Sequence, residues 1–216
     1  MNNNDNYLSD DIIIRKATLE DNFEEMAQLI YETDDKIYTY WFHDDVEEAK
    51  KVLPPLMKEE GFFYNYKSIY IAIDKNTNKI VGLICCVLPE TNLEYDYDKI
   101  RKMSDSYAYT VDNYIIGLIE EVQELQVPYI SNVAVHHDYR GRRIGSLMFR
   151  KVVEEKKPFY RKLLLDVLAD NPSAIKLYEN LGFEITSFYW DIGYGPGDYT
   201  ETFSMELDNE NKGKAK

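Results

Sequence analysis

The sequence predicts a single domain of the α/β (α+β) class, and three observations carry that expectation. Short β-branched apolar runs alternate with segments of helical period over most of the 216 residues. Between residues 11 and 207 there is no Gly/Ser-rich or Pro-rich linker and no internal repeat at which two domains would divide. Hydrophobic residues make up 44% of the chain, which suffices for a buried core and is too many for wholesale disorder.

Each element follows in order. Residues 1–10 are rich in Asn and Asp and read as a flexible N-terminus; residues 208–216 read as a polar tail of the same kind. Ile12, Ile13 and Ile14 suit a first strand. Thr18 reads as a helix N-cap with Asp21 as its capping-box partner, and Phe23, Met26, Ala27 and Ile30 follow at helical spacing. A second helix fits Asp45 to about Glu60, kinked or divided at Pro54 and Pro55. Ser68–Asp74 and Lys79–Leu88 read as a hairpin closed by Lys75-Asn76-Thr77-Asn78. Pro128–Val135, Lys162–Leu168, Phe183–Trp190 and Tyr199–Leu207 read as strands; Arg143–Lys156 and Pro172–Asn180 read as helices. Residues 89–126 form a long insert, helical in its second half, and a connection of that length is usually functional or structured in its own right.

Charge and composition bound the function. With 25 Lys plus Arg against 39 Asp plus Glu the net charge is −14, which disfavours nucleic acid or an anionic membrane as partner and permits a cationic substrate. The longest apolar run, Ile80–Leu88, is far short of the roughly 20 residues of a spanning helix. The N-terminal stretch lacks a basic, apolar leader, and a cytoplasmic protein is the expectation. Cys85 and Cys86 are adjacent, so on a strand they point to opposite faces; two reduced core residues are expected rather than a bridge. No Cys/His spacing suggests a zinc site, and no metal is expected.

The chemistry concentrates in YISNVAVHHDYRGRRIGSLMFRKVVEE, residues 129–155. A strand ends at Val135, a polar turn follows, and Arg140, Gly141, Arg142, Arg143 and Gly145 surround the opening of a helix. Bare amides and the positive end of the dipole at a helix N-terminus suit a phosphate-bearing ligand. The turn has neither the GK[ST] ending of a P-loop nor the GxGxxG of a dinucleotide fold. Downstream, LLLDVLADNPSAIKLYENLGFEITSFYW, residues 163–190, runs from strand to Asn171, helix, Leu181-Gly182-Phe183 and a further strand.

Together the two segments resemble the GNAT superfamily of N-acetyltransferases. The first matches its acetyl-CoA pyrophosphate loop, Arg/Gln-x-x-Gly-x-Gly/Ala, and the second its strand–Asn–helix–LYxxxGF region. Arg143 stands where the pattern has its first Gly, and His137 where many members have Pro. The resemblance covers roughly residues 12–207. It implies a mixed, mostly antiparallel sheet split between two central strands, the one ending at Val135 and the one starting near Lys162. Acetyl-CoA is implied as co-substrate, its pantetheine arm pairing with main chain of Val133, Ala134 and Val135. Its pyrophosphate would rest on the turn of Arg140, Gly141, Arg142, Arg143, Ile144, Gly145 and Ser146, with Asn171 as a further contact, a helix N-cap, or both.

The implied reaction is direct acetyl transfer to a primary amine. Tyr178 matches the family's general-acid position, where packing alone would need its ring and not its hydroxyl. For the base the sequence leaves several groups open: Glu120, Glu121, Glu124, Asp166, the histidines His43, His136 and His137, or a water chain. The acceptor, a small molecule or a peptide amine, is expected between the first two helices and the insert. There Glu90, Glu94, Asp96 and Asp98 interleave with Tyr95 and Tyr97, and suit either an ammonium ligand or a solvated surface. Trp41 and Phe42 either wall that pocket or pack the first helices. A non-catalytic acyl-CoA-binding module and a transferase of a longer acyl group share the same fold-level signature. A homodimer is compatible with the sequence.

Overall fold

The computed structural model describes residues 11–33, 38, 42, 44–91, 122–192 and 199–210. In chain order the elements are β1 (Ile12–Lys16), α1 (Phe23–Tyr31), α2 (Val46–Leu56), a 3-10 turn (Tyr66–Ser68), β2 (Ile69–Asp74), β3 (Lys79–Val87) and β4 (Tyr129–Val135). A second 3-10 turn (His137–Tyr139), α3 (Ile144–Lys156), β5 (Lys162–Leu168), α4 (Pro172–Leu181), β6 (Glu184–Ile192) and β7 (Tyr199–Asp208) complete them. The strands form one sheet in the order β1-β2-β3-β4-β5-β7-β6. Every neighbouring pair is antiparallel except β4 and β5, which run parallel, so the class read from the sequence is the one observed.

Helix α1 begins later than the sequence reading placed it. Asp21 grips the Arg15 guanidinium through two bonds of 2.8 and 2.6 Å and accepts from the Thr18 amide and hydroxyl. The Arg15 contact, above all, holds the Asp21 carboxyl below its ordinary range. With Asp21 spent on that turn, Asn22 caps the helix, its Oδ1 accepting from the amides of Glu24 and Glu25. Helix α2 is capped by Asp45 and carries both prolines inside its last turn, ending at Leu56. Proline tolerates helix φ but removes a donor, so the helix stops just after Pro54 and Pro55 rather than near Glu60. The chain also stays ordered past Leu207: Arg161 pairs with Asp208 at 2.9 Å, and Asn209 is buried with its Nδ2 donating to the Tyr160 carbonyl. Residues 1–10, most of the insert (92–121) and residues 211–216 lie outside the described residues, as does most of the predicted insert helix; residues 122–125 are helical.

Apolar residues collect into one core on each face of the sheet. Helices α1 and α2, with Phe62 and Phe63, cover the face bearing Ile69, Ile71, Leu83 and Cys85. Helices α3 and α4 cover the face bearing Tyr70, Ala72, Ile84, Cys86, Leu163 and Leu165. The adjacent cysteines are free thiols on opposite faces, each pushed up to about 12 by burial. Gly82 lets α3 close on the sheet, since a β-carbon there would lie 3.0 Å from both the Ala134 carbonyl and Met148 Sδ. No helix among the described residues is long and apolar enough to cross a membrane.

The strand order creates an opening. β4 and β5 register at two residue pairs, Tyr129↔Leu164 and Ile130↔Leu165. Beyond them β4 stays paired with β3 as far as Val135, and β5 stays paired with β7 as far as Leu168. The two central strands therefore part into a split that opens towards the start of α3.

Candidate active site

The split presents an unpaired strand edge. The His136 amide donates to the Val81 carbonyl at 2.9 Å, which fixes the alternation along β4. Residues of the same parity, including Ala134 opposite Leu83, turn their main chain to β3. The main-chain groups of Val133 and Val135 point the other way, into the split. Of the three residues expected along the co-substrate, Ala134 has its main chain paired with β3. Val135 is partly committed as well, because its carbonyl accepts from Arg140 Nε at 3.0 Å. The open edge is thus the Val133 amide and carbonyl and the Val135 amide.

At the mouth of the split the chain makes a tight double turn. His136 Nδ1 caps the His137–Tyr139 turn. The Tyr139 hydroxyl donates to Asp74 Oδ2 at 2.7 Å, tying the loop to the β2–β3 hairpin and lowering the Asp74 carboxyl pKa. Arg142 lies over the Tyr139 ring, 4.8 Å from its centroid. Gly141 sits at φ +77° with open space where its side chain would be, and Arg143 follows at φ +60°. Arg143 thus occupies the pattern's glycine position and takes up the left-handed conformation that glycine favours.

Arg143 is also the N-cap of α3, and among the described residues no side chain caps this helix. The first intrahelical bond runs from the Leu147 amide to the Arg143 carbonyl. The amides of Ile144, Gly145 and Ser146 are left without an intrahelical acceptor. A missing cap costs roughly 1 kcal/mol. Full burial of Ile144, Met148, Phe149 and Val152, each worth about 1.5–3 kcal/mol, outweighs it and holds α3 in place with a bare N-terminus. The Ile144 side chain belongs to that core, so only its amide is available at the site.

Helix α4 closes the other flank. A β-carbon at Gly145 would meet Leu177 Cδ2 and Val135 Cγ2, each at 3.8 Å, so α4 and the end of β4 converge on the first turn of α3. Asn171 serves as the cap of α4: its Oδ1 accepts from the Ala174 amide at 3.1 Å and the Ser173 hydroxyl at 3.3 Å. Tyr178 packs edge-on against Phe149, with ring centroids 5.3 Å apart, and its residue exposure is 8%. Its hydroxyl makes no hydrogen bond among the described residues, and burial pushes its pKa up to about 12.

The remaining candidates separate. Asp166 lies on an inner strand, its carboxylate accepting from the Tyr129 hydroxyl (2.9 Å) and the Ser204 hydroxyl (2.6 Å). Glu124 is exposed. His136 and His137 stack on each other at 4.3 Å beside Asp138, forming the one possible metal-holding cluster among the described residues. Phe42 is fully buried against Tyr38 and Tyr31, so it packs the first helices. Glu90 accepts from the Tyr160 hydroxyl. Trp41, His43, Glu94, Tyr95, Asp96, Tyr97, Asp98, Glu120 and Glu121 lie outside the described residues.

Comparison with known proteins agrees with this geometry. The model of the Acetyltransferase (GNAT) family matches residues 27–183. An uncharacterized N-acetyltransferase of Methanocaldococcus jannaschii is 36% identical over 67 residues, 31% of this chain and 30% of that relative's length. Among solved structures, an N-acetyltransferase from Staphylococcus aureus Mu50 superposes with a TM-score of 0.60 at 20% identity, covering 90% of this chain and 100% of that one. A GNAT family acetyltransferase from Elizabethkingia anophelis with acetyl-CoA bound gives 0.51 at 17% identity, covering 92% and 99%. With the family pattern spanning most of the chain and the split sheet in place, the chain belongs to the GNAT family of acetyltransferases.

Proposed function

We propose that the protein is an acetyl-CoA-dependent N-acetyltransferase that moves the acetyl group directly onto a primary amine. The observation that carries this reading is the bare N-terminus of α3 at the mouth of the split, beside the open edge of β4. The amides of Ile144, Gly145 and Ser146, with Arg140, Arg142 and Arg143 around them, suit the pyrophosphate of the co-substrate. The Val133 amide and carbonyl and the Val135 amide suit the two amides of a pantetheine arm. Acetyl-CoA supplies the thioester, an acyl group with a thiolate leaving group.

Tyr178 is the chain's contribution to the departure of that thiolate. A tyrosine buried only for packing usually hydrogen-bonds its hydroxyl; among the described residues this one has no such partner. Burial keeps it in the neutral, donating form at any ordinary pH. It donates a hydrogen bond to the sulfur as negative charge develops there, which is where an acid–base group gains its effect. The acceptor amine must arrive neutral; as the C–N bond forms and the C–S bond breaks it sheds one proton, which the departing coenzyme A thiolate takes up directly or through water.

Coenzyme A release, measured across polyamines, aminoglycosides, amino acids and peptides, tests the reading. Tyr178→Phe keeps the ring and removes the donor. It is expected to lower turnover by about 10²–10⁴-fold, with acetyl-CoA affinity and Tm nearly unchanged. Wild-type turnover in that variant would remove Tyr178 from the reaction. An unchanged Tm in saturating acetyl-CoA would remove acetyl-CoA as ligand.

A further inference from the structure

We infer that Asn132 is an acceptor-binding residue, its side-chain oxygen receiving an N–H of the amine to be acetylated. This rests on the acetyl-transfer reading and gives the acceptor end of the same site a named residue.

Asn132 sits at the closed end of the split. The last β4 residue registered with β5 is Ile130, and a bulge follows at once, since β3 pairs Cys86 with Ile130 and Cys85 with Asn132. The bulge leaves Ser131 as the extra residue, and the Asn132 side chain faces the α1 side of the sheet, opposite α3 and α4. The phosphate-binding turn is at the open mouth, so a pantetheine arm laid along Val135 and Val133 brings its acyl end towards Asn132.

The amide of Asn132 is held in one orientation. Nδ2 donates to Thr33 Oγ1 at 2.9 Å and to the Tyr38 hydroxyl at 2.7 Å. The Thr33 hydroxyl itself donates to the Ile30 carbonyl at 2.6 Å, so towards Asn132 it can only accept. The Tyr38 hydroxyl lies 3.0 Å from that of Tyr64. Both donors of the amide are therefore used, and the group facing Thr33 must be the nitrogen. Among the described residues Oδ1 has no partner, and it is buried in a residue only 7% exposed. A buried carbonyl oxygen is costly to leave without a donor, and side chains kept this way are either watered or waiting for a ligand. An oxygen that can only accept, at the closed end of an acyl-transfer split, matches an amine N–H.

The test is Asn132→Leu, of similar volume, with Thr33→Val as a second variant that removes one of the two anchors. Wild type is first assayed by coenzyme A release on spermidine, kanamycin, lysine and a free-N-terminus peptide, and the best acceptor is carried forward. Asn132→Leu is expected to raise the acceptor KM about tenfold or more. The acetyl-CoA KM and the Tm shift produced by acetyl-CoA should stay as in wild type. Thr33→Val is expected to raise the acceptor KM about threefold, with the acetyl-CoA values again unchanged; it decides alone should Asn132→Leu not fold. Tm of Asn132→Leu is expected to be unchanged or higher, because an unsatisfied oxygen has been removed while Thr33 and Tyr38 keep other contacts. Acceptor KM values within twofold of wild type overturn the assignment and make Asn132 a cross-link between β4 and the end of α1. An enzyme that binds acetyl-CoA yet acetylates none of the four amines overturns the acetyl-transfer reading and this assignment together.

Discussion

The N-termini of α3 and α4 are built in opposite ways. Helix α4 is finished by its own sequence: Asn171 caps it, Pro172 starts it, and the Ala174 amide is satisfied. Helix α3 has no side-chain cap among the described residues, an arginine in a left-handed conformation at its N-cap, and arginines at 140 and 142 around its first turn. A protein with the means to cap one helix with Asn leaves the other bare where an anion would be held. The contrast is the one expected if α3 holds an anion as proposed, with α4 as the neighbouring capped helix that carries Tyr178.

Four variants probe the two helix termini and the turn before α3. The largest effect is expected for Arg140→Ala combined with Arg142→Ala. Acetyl-CoA affinity by thermal shift should fall about 10- to 100-fold at low salt and less at high salt, because these exposed charges are screened. Affinity insensitive to both arginine removal and salt would mean the bare amides act alone. Next, Arg143→Asp places an anion at the start of α3, where it favours the helix and opposes a second negative charge. Acetyl-CoA affinity should drop about tenfold while Tm in its absence holds or rises. Asn171→Ala should do the reverse at α4: a loss of about 1 kcal/mol, or roughly 2–4 °C in Tm, with acetyl-CoA affinity within about threefold. A large affinity loss there would give Asn171 a ligand contact in addition to its cap.

The smallest effect concerns the anchor that holds the α3 turn on the hairpin. The Tyr139 hydroxyl lowers the Asp74 pKa, so this contact contributes stability above the unfolded carboxyl value of about 3.9. That contribution is lost as pH falls through the lower folded value. Thermal melts of Tyr139→Phe and wild type should therefore differ slightly at pH 6 and converge towards pH 3. A gap that is constant with pH would show that the carboxylate is not what the hydroxyl stabilises.

Much of this molecule could be read from local sequence. The order of strands and helices, the hairpin at 75–78 and the arginine-rich turn before α3 all follow from periodicity and turn chemistry within a dozen residues. Boundaries moved where a side chain found a partner nearby in space. Asp21 went to Arg15 rather than to a capping box, and Asp208 went to Arg161 rather than to a frayed tail. The 92–121 stretch, with its acidic and aromatic residues, lies outside the described residues, so its predicted part in the acceptor site rests on sequence alone.

The set of elements and the family pattern were legible in the sequence alone, because hydrophobic period, the Arg140–Gly145 turn and the LYxxxGF run are local signals. The tertiary structure decided which parts of them are available for chemistry. Parting of β4 from β5 depends on each strand keeping its outer neighbour, and the commitment of Ala134 to β3 depends on register. The orientation of the Asn132 amide depends on Thr33, 99 residues away, and Tyr38, 94 away. Nothing local to Tyr129-Ile130-Ser131-Asn132 distinguishes a satisfied polar residue from an unsatisfied one. Hydrogen-bond satisfaction is a property of where distant groups come to rest, and only the folded chain fixes that.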